Sequence, residues 1–143
     1  QELLDALAAA TDDVGVALGA LSDAYEQVDE VTAEQLEDAL FAPVQAAYGR
    51  AKRTQGEFAD RHQLARPTSA SPPSGAPSRG VKAFIEQAVD AVHRADAALA
   101  TIQDSMMAVD VGDAELRAGM SEVRRQLSPV PAHARQFVRR LGR

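Results

Sequence analysis

Between Ile85 and Val109 the apolar side chains stand at Ile85, Ala88, Val92, Ala95, Leu99, Ile102, Met106 and Val109. The spacings alternate three and four without a break, and neither Gly nor Pro interrupts the run. A pattern with that period makes one long amphipathic helix whose apolar stripe has to be covered by other helices. The rest of the chain is then read for segments that can cover it.

A first helix is expected from about Glu2 to Glu30, with Leu4, Thr11, Leu18 and Tyr25 at one core position and Leu7, Val14, Leu21 and Val28 at the other. Thr32 reads as the N-cap of a second helix, with Gln35 as its capping-box partner and Val31 and Leu36 as a hydrophobic staple. That helix carries Leu36, Leu40, Val44, Ala47, Ala51, Thr54 and Phe58 on one face and ends near Leu64. Pro43 lies inside it and is expected to kink or break it. After the third helix, Gly112 and Asp113 make a turn in which Asp113 is the N-cap. The fourth helix holds Leu116, Met120, Val123 and Leu127 in register, and the same count continues through Pro129 and Pro131 to Val130, Ala134, Phe137 and Leu141. A tail unrelated to the core would not keep phase, so a Pro-kinked fourth helix is expected.

These segments predict an all-α, up-and-down antiparallel four-helix bundle with coiled-coil-like registers. It forms a single domain over 1–143: one helical hairpin over 1–65, a low-complexity linker over 66–80 and a second hairpin over 81–143. The linker is rich in Pro, Ser and Gly and has no apolar face to bury. It reads as a spacer whose deletion leaves stability nearly unchanged. Much of the apolar content is Ala and there is no Trp, which suits closely packed helices better than a sheet. Residue 1 is Gln, so the chain reads as an excised piece of a longer one.

The formal net charge of −6 conceals an asymmetry. Residues 1–49 hold 11 acidic side chains and no Lys or Arg, whereas residues 123–143 hold six Arg and no Asp or Glu. Arg124, Arg125, Arg135, Arg139, Arg140 and Arg143 are therefore the candidate interaction surface. In an up-and-down bundle the first and fourth helices are neighbours, which would set this Arg-rich end beside Glu2, Asp5, Asp12 and Asp13.

Chemistry leaves little trace. There is no Cys, which removes disulfides and thiol nucleophiles and fits either a reducing compartment or a secreted chain needing no staples; a cytoplasmic setting is the expectation. No phosphate loop, serine-hydrolase arrangement or zinc-protease motif is present. His93 follows Asp90 rather than a Glu at the spacing of bundle metal sites, so neither a metal nor a cofactor is expected. A mid-helix His93 at an outward position resembles the plan of histidine phosphotransfer domains, except that Asp96 stands where such domains carry a basic residue. The stretch from Phe41 through Pro43, Val44, Tyr48, Arg50, Lys52, Arg53 and Phe58 resembles the second helix of BAR-type domains, which implies a peripheral membrane-binding role. The acidic total and the absence of aromatic platforms beside the Arg cluster argue against nucleic acid. The leading expectation is a non-enzymatic helical adaptor or assembly module with a protein partner, an anionic membrane surface or a homo-oligomer being the alternatives.

Overall fold

The structure, a computed structural model, describes residues 1–68, 80–105 and 112–141. Its helices are α1 (Glu2–Tyr25), α2 (Glu30–Leu36), a π-helical turn (Glu37–Phe41) running into α3 (Ala42–Arg61), α4 (Val81–Asp104), α5 (Ala114–Leu127) and α6 (Val130–Leu141). The π turn joins α2 and α3 into the second arm of the bundle, and α5 with α6 make the fourth. The protein is an all-α bundle of four antiparallel-packed arms, with the long connection between the second and third and with prolines dividing the fourth. Met106 and Val109 of the expected third helix, and residues 69–79 of the linker, lie outside the described residues.

The registers read from the sequence are largely those that bury. All seven residues expected on the second arm are buried, as are Ile85, Ala88, Val92, Ala95, Leu99 and Ile102 of α4 and Leu116, Met120, Val123 and Leu127 of α5. Across the prolines, Val130, Ala134 and Phe137 return to the same core, while Leu141 at the end is 38 % exposed. Thr11 and Thr54 are buried without leaving their hydroxyls bare. Each Oγ donates to a carbonyl one turn back, Thr11 to Leu7 at 2.9 Å and Thr54 to Arg50 at 2.8 Å.

The first arm departs from expectation. Tyr25 is 44 % exposed and Leu18 only partly buried. Leu4, Leu7, Thr11, Val14 and Leu21 bury as expected, and Leu3, Ala10, Ala17 and Ala24, each one residue before an expected core position, bury beside them. The buried face is thus wider than the expected stripe on one side, and the added positions are mostly small side chains. On α4 the matching small residues are Ala88, Ala91 and Ala95. The α1–α4 interface is the most extensive in the molecule, as expected where small side chains let helix backbones come close.

Cap chemistry also corrects the sequence. The second arm starts at Glu30, because the Asp29 carboxylate accepts from the Thr32 N–H at 2.7 Å. This bond holds the Asp29 carboxyl below the usual carboxylate range. A carboxylate so placed also meets the positive end of the helix dipole, which a Thr hydroxyl does not match. Val31, expected in a staple, is 67 % exposed. Pro43 occupies the first turn of α3, and the disruption expected just before it takes the form of the π turn at Glu37–Phe41, which interrupts the regular α-helix of the second arm. The residue four before Pro43, Ala39, sits in the π turn, where the Ala42 N–H reaches back five residues to Glu37 O. Pro43 has no N–H to give the Ala39 carbonyl. That carbonyl is satisfied from the fourth arm, by His133 Nδ1 at 2.9 Å. Because a carbonyl only accepts, His133 carries its proton on Nδ1.

The order of neighbours differs from the sequence expectation. α1 packs on α4 and α3, α3 packs on α5, and α4 packs on α5 and α6, so the first and third arms are neighbours and the first and fourth are not close-packed. Cross-arm contacts give the directions. Arg61 meets Asp113 while Gly119 faces Thr54, so α3 and α5 are antiparallel. Arg124 meets Asp96 while Ser121 meets Gln103, so α4 and α5 are antiparallel too. The second and third arms therefore run the same way, and Arg61 and Val81 lie at opposite ends of the bundle. α3 closes with Gln63 at φ +57° and the Leu64 N–H on Ala59 O at 2.8 Å. This is the Schellman reversal, and it turns the chain back along α3, where the Arg66 side chain lies against Gly56 and binds Asp60.

Candidate functional site

The candidate Arg residues separate into two groups. Arg124 is committed inside the bundle: its Nε donates to Asp96 Oδ1 and its Nη1 to Gln103 Oε1, both at 2.8 Å. The Asp96 carboxylate raises its pKa above the ordinary guanidinium value. Arg125 pairs with Glu122 one turn earlier on its own helix. That partnership holds the Glu122 carboxyl below its usual range. Arg143 lies outside the described residues.

Arg135, Arg139 and Arg140 project from α6, exposed, with no ion pair or hydrogen bond among the described residues. Their expected acidic neighbours are elsewhere. The His133–Ala39 contact places α6 at the end of the bundle where α1 finishes and α2 begins, whereas Glu2 and Asp5 open α1 at the other end. Asp13 is met by Arg94 of α4 at 3.4 Å. Arg139 thus stands free because the fourth arm is not beside the first arm's acidic start.

Arg135 and Arg139 also form one wall of a groove. Where α6 lies antiparallel along the start of α4, a cleft of about 410 Å³ opens over Ile85, Val89, Pro131, Ala134 and Val138. Its other wall is acidic, made by Glu86 and Asp90 of α4. Two arginines four residues apart thus face two carboxylates four residues apart across an apolar floor. Among the described residues no ion pair crosses it; Glu86 is 3.9 Å from Lys82 on its own helix. This groove was not legible in the sequence. Its signal, a second i, i+4 acidic pair on the outer edge of α4, becomes meaningful only once α6 is known to lie there.

The remaining polar clusters have structural duties. The Asp113 side chain, 7 % exposed, caps α5 through the Leu116 N–H at 2.9 Å. It also takes three bonds from Arg61, through Nε and Nη2, and one from His62 Nε2 at 3.0 Å. Burial alone would raise this carboxyl, but those hydrogen bonds outweigh it and hold its pKa below the ordinary value. His62 in turn packs on the Phe58 ring, with centroids 4.4 Å apart. His93 is exposed on α4, close to Asp96, Arg124 and Arg125. Of the basic residues in the BAR-like stretch, Arg50 is half-buried while Lys52 lies over the Tyr48 ring at 5.6 Å. Among the described residues no group of three or more His, Asp or Glu is placed to hold a metal ion. No helix among them is long and apolar enough to cross a membrane.

Fold and surface together define, over the described residues, a four-arm helical bundle that carries a two-walled charged groove. Compared with known proteins, the chain matches no family model, no curated protein and no solved structure.

Proposed function

We propose that this chain is a non-enzymatic helical interaction module that holds a protein partner through α6 and the adjoining edge of α4. The observation that carries the reading is the row of unpaired arginines, Arg135, Arg139 and Arg140, beside an apolar groove on a chain whose total charge is −6. Exposed ion pairs are worth only about 0–1 kcal/mol, so the bundle does not need these arginines paired and they are available to a partner. A groove that concentrates them over apolar floor offers both desolvated area and charge to a partner, the combination on which interfaces depend. The perturbed carboxylates support the same reading, because each is explained by a cap or an ion pair rather than by catalysis.

The test is differential capture. Immobilised wild-type protein and the R135E/R139E variant are exposed to the same native extract and the retained proteins are quantified. A defined set held by the wild type and lost by the variant, with unchanged circular dichroism, supports the proposal. Identical sets on both refute it.

A further inference from the structure

We infer that the occupant of the α4–α6 groove is an amphipathic protein helix, one or two turns of it engaged, with an acidic edge toward α6 and a basic edge toward α4. The inference rests on the interaction reading above and adds the chemistry of the partner. The groove floor joins Ile85 and Val89 of α4 to Ala134 and Val138 of α6. Apolar anchors at i, i+3 or i+4, and i+7 of a docked helix suit such a floor. The volume of about 410 Å³ is toward the small end of ligand-sized pockets, so only a short helical face is engaged.

The walls select the class of partner. Arg135 and Arg139 are spaced one helical turn apart, and so are Glu86 and Asp90. A docked helix with acidic residues at i and i+4 on one edge and basic residues at i and i+4 on the other places opposite charge against both walls. An anionic lipid surface or a nucleic-acid backbone satisfies the arginine wall but is repelled by the carboxylate wall, at a separation well within a Debye length. A concave floor with an acidic wall is also poorly shaped for a flat bilayer. The two-signed rim thus favours a mixed-edge protein helix over a polyanion.

The probe is a fluorescein-labelled synthetic helix with Leu anchors at i, i+3 and i+7, Glu on one edge and Lys on the other. A second helix has Lys on both edges, and phosphatidylserine vesicles serve as the polyanion. The expected result is saturable binding of the mixed-edge helix to the wild type, with amide shifts at Val89, Ala134 and Val138. Binding should weaken about tenfold or more in R135E/R139E and in high salt. The doubly basic helix should show the reverse preference, binding R135E/R139E better than wild type. Because both walls are exposed, the variant is expected to fold, and its far-UV spectrum checks that. The inference is overturned if the mixed-edge helix fails to bind up to about 1 mM, if both helices bind the wild type equally, or if vesicles bind it with the same Arg dependence. If the peptide fails while R135E/R139E still loses its captured proteins, only the partner's chemistry is wrong. If capture does not depend on the arginines, the interaction reading itself falls.

Discussion

Replacing Gly119 with Ala pits two effects of known size against each other. Gly to Ala in a helix interior is intrinsically favourable by about 1 kcal/mol. Gly119, however, is the point where α5 meets α3. A Cβ built there would lie 2.3 Å from Thr54 Oγ1, 2.6 Å from its Cγ2 and 3.0 Å from its Cβ. Thr54 cannot easily turn aside: it is buried, β-branched in a helix, and bonded through Oγ1 to Arg50 O at 2.8 Å. Overpacking of this kind costs about 1–3 kcal/mol, and the contact here is severe, so the clash should win. The expected net loss is about 1–2 kcal/mol. Thr54→Ala removes Oγ1 and Cγ2, the two nearest atoms, and by itself costs about 1 kcal/mol. In the T54A background, G119A should become neutral or stabilising, which makes the coupling energy about 2 kcal/mol. Urea unfolding followed by circular dichroism at 222 nm gives all four corners of the cycle, provided the m value is constant. A G119A protein more stable than wild type by about 1 kcal/mol, with no coupling to Thr54, would refute the close approach of α3 and α5.

Four further outcomes are expected. Leu99, 1 % exposed at the centre of α4, should lose about 2–5 kcal/mol on truncation to Ala; chemical denaturation showing less than about 0.5 kcal/mol would remove it from the core. His133→Phe leaves the Ala39 carbonyl unpaired and should cost about 1–3 kcal/mol, whereas Pro43→Ala restores a nearby N–H and should reduce that cost in the double variant. The folded-state pKa of Asp113 is lowered by its hydrogen bonds, so its contribution is complete above the unfolded carboxylate value of about 4 and disappears as pH falls through the lower folded value. Melting temperature should therefore hold from neutrality to about pH 5 and fall below about pH 4, with a shallower acid slope in Asp113→Asn. Deleting Ser69–Ser78 leaves two residue steps, about 7 Å of chain, between Thr68 and Gly80, whereas the second and third arms run the same way and α4 is 24 residues, about 36 Å long, of which the turn back to Arg66 beside Gly56 recovers only part; the melting curve should show loss of the native bundle, and retention of wild-type stability would refute the parallel course of those two arms.

That last expectation reverses the sequence reading of the linker as a dispensable spacer, and the reason is general to this chain. Heptad registers say which face of a helix is apolar. They do not say which other face it meets. Ile85 to Ile102 and Leu36 to Phe58 were legible because large side chains recur at one angular position. On α1, Leu4, Leu7, Thr11, Val14 and Leu21 are legible in the same way, whereas the buried Ala10, Ala17 and Ala24 look neutral in a pattern search yet are what lets α4 approach. Asp29 is hard to recognise as a cap because Thr32 with Gln35 offers a tidier motif. The Arg cluster was legible as charge but not as a site. Glu122, three residues before Arg125, was visible in the sequence, whereas the Asp96–Arg124 pair and the groove beside Arg139 depend on helix neighbours that no local pattern encodes.

The pairing of α1 with α4 bears on how the molecule assembles. Neither half of the chain holds its own best partner: the small-residue face of α1 is matched in α4, and that of α3 in α5. Contacts of long sequence separation therefore dominate over those within each hairpin. A bundle wired this way should fold more slowly than one that zips hairpin by hairpin. It also makes the two halves complementary. Fragments 1–68 and 80–143, each disordered or aggregation-prone alone for want of cover, should reconstitute one helical body when mixed, with a melting temperature that rises with concentration.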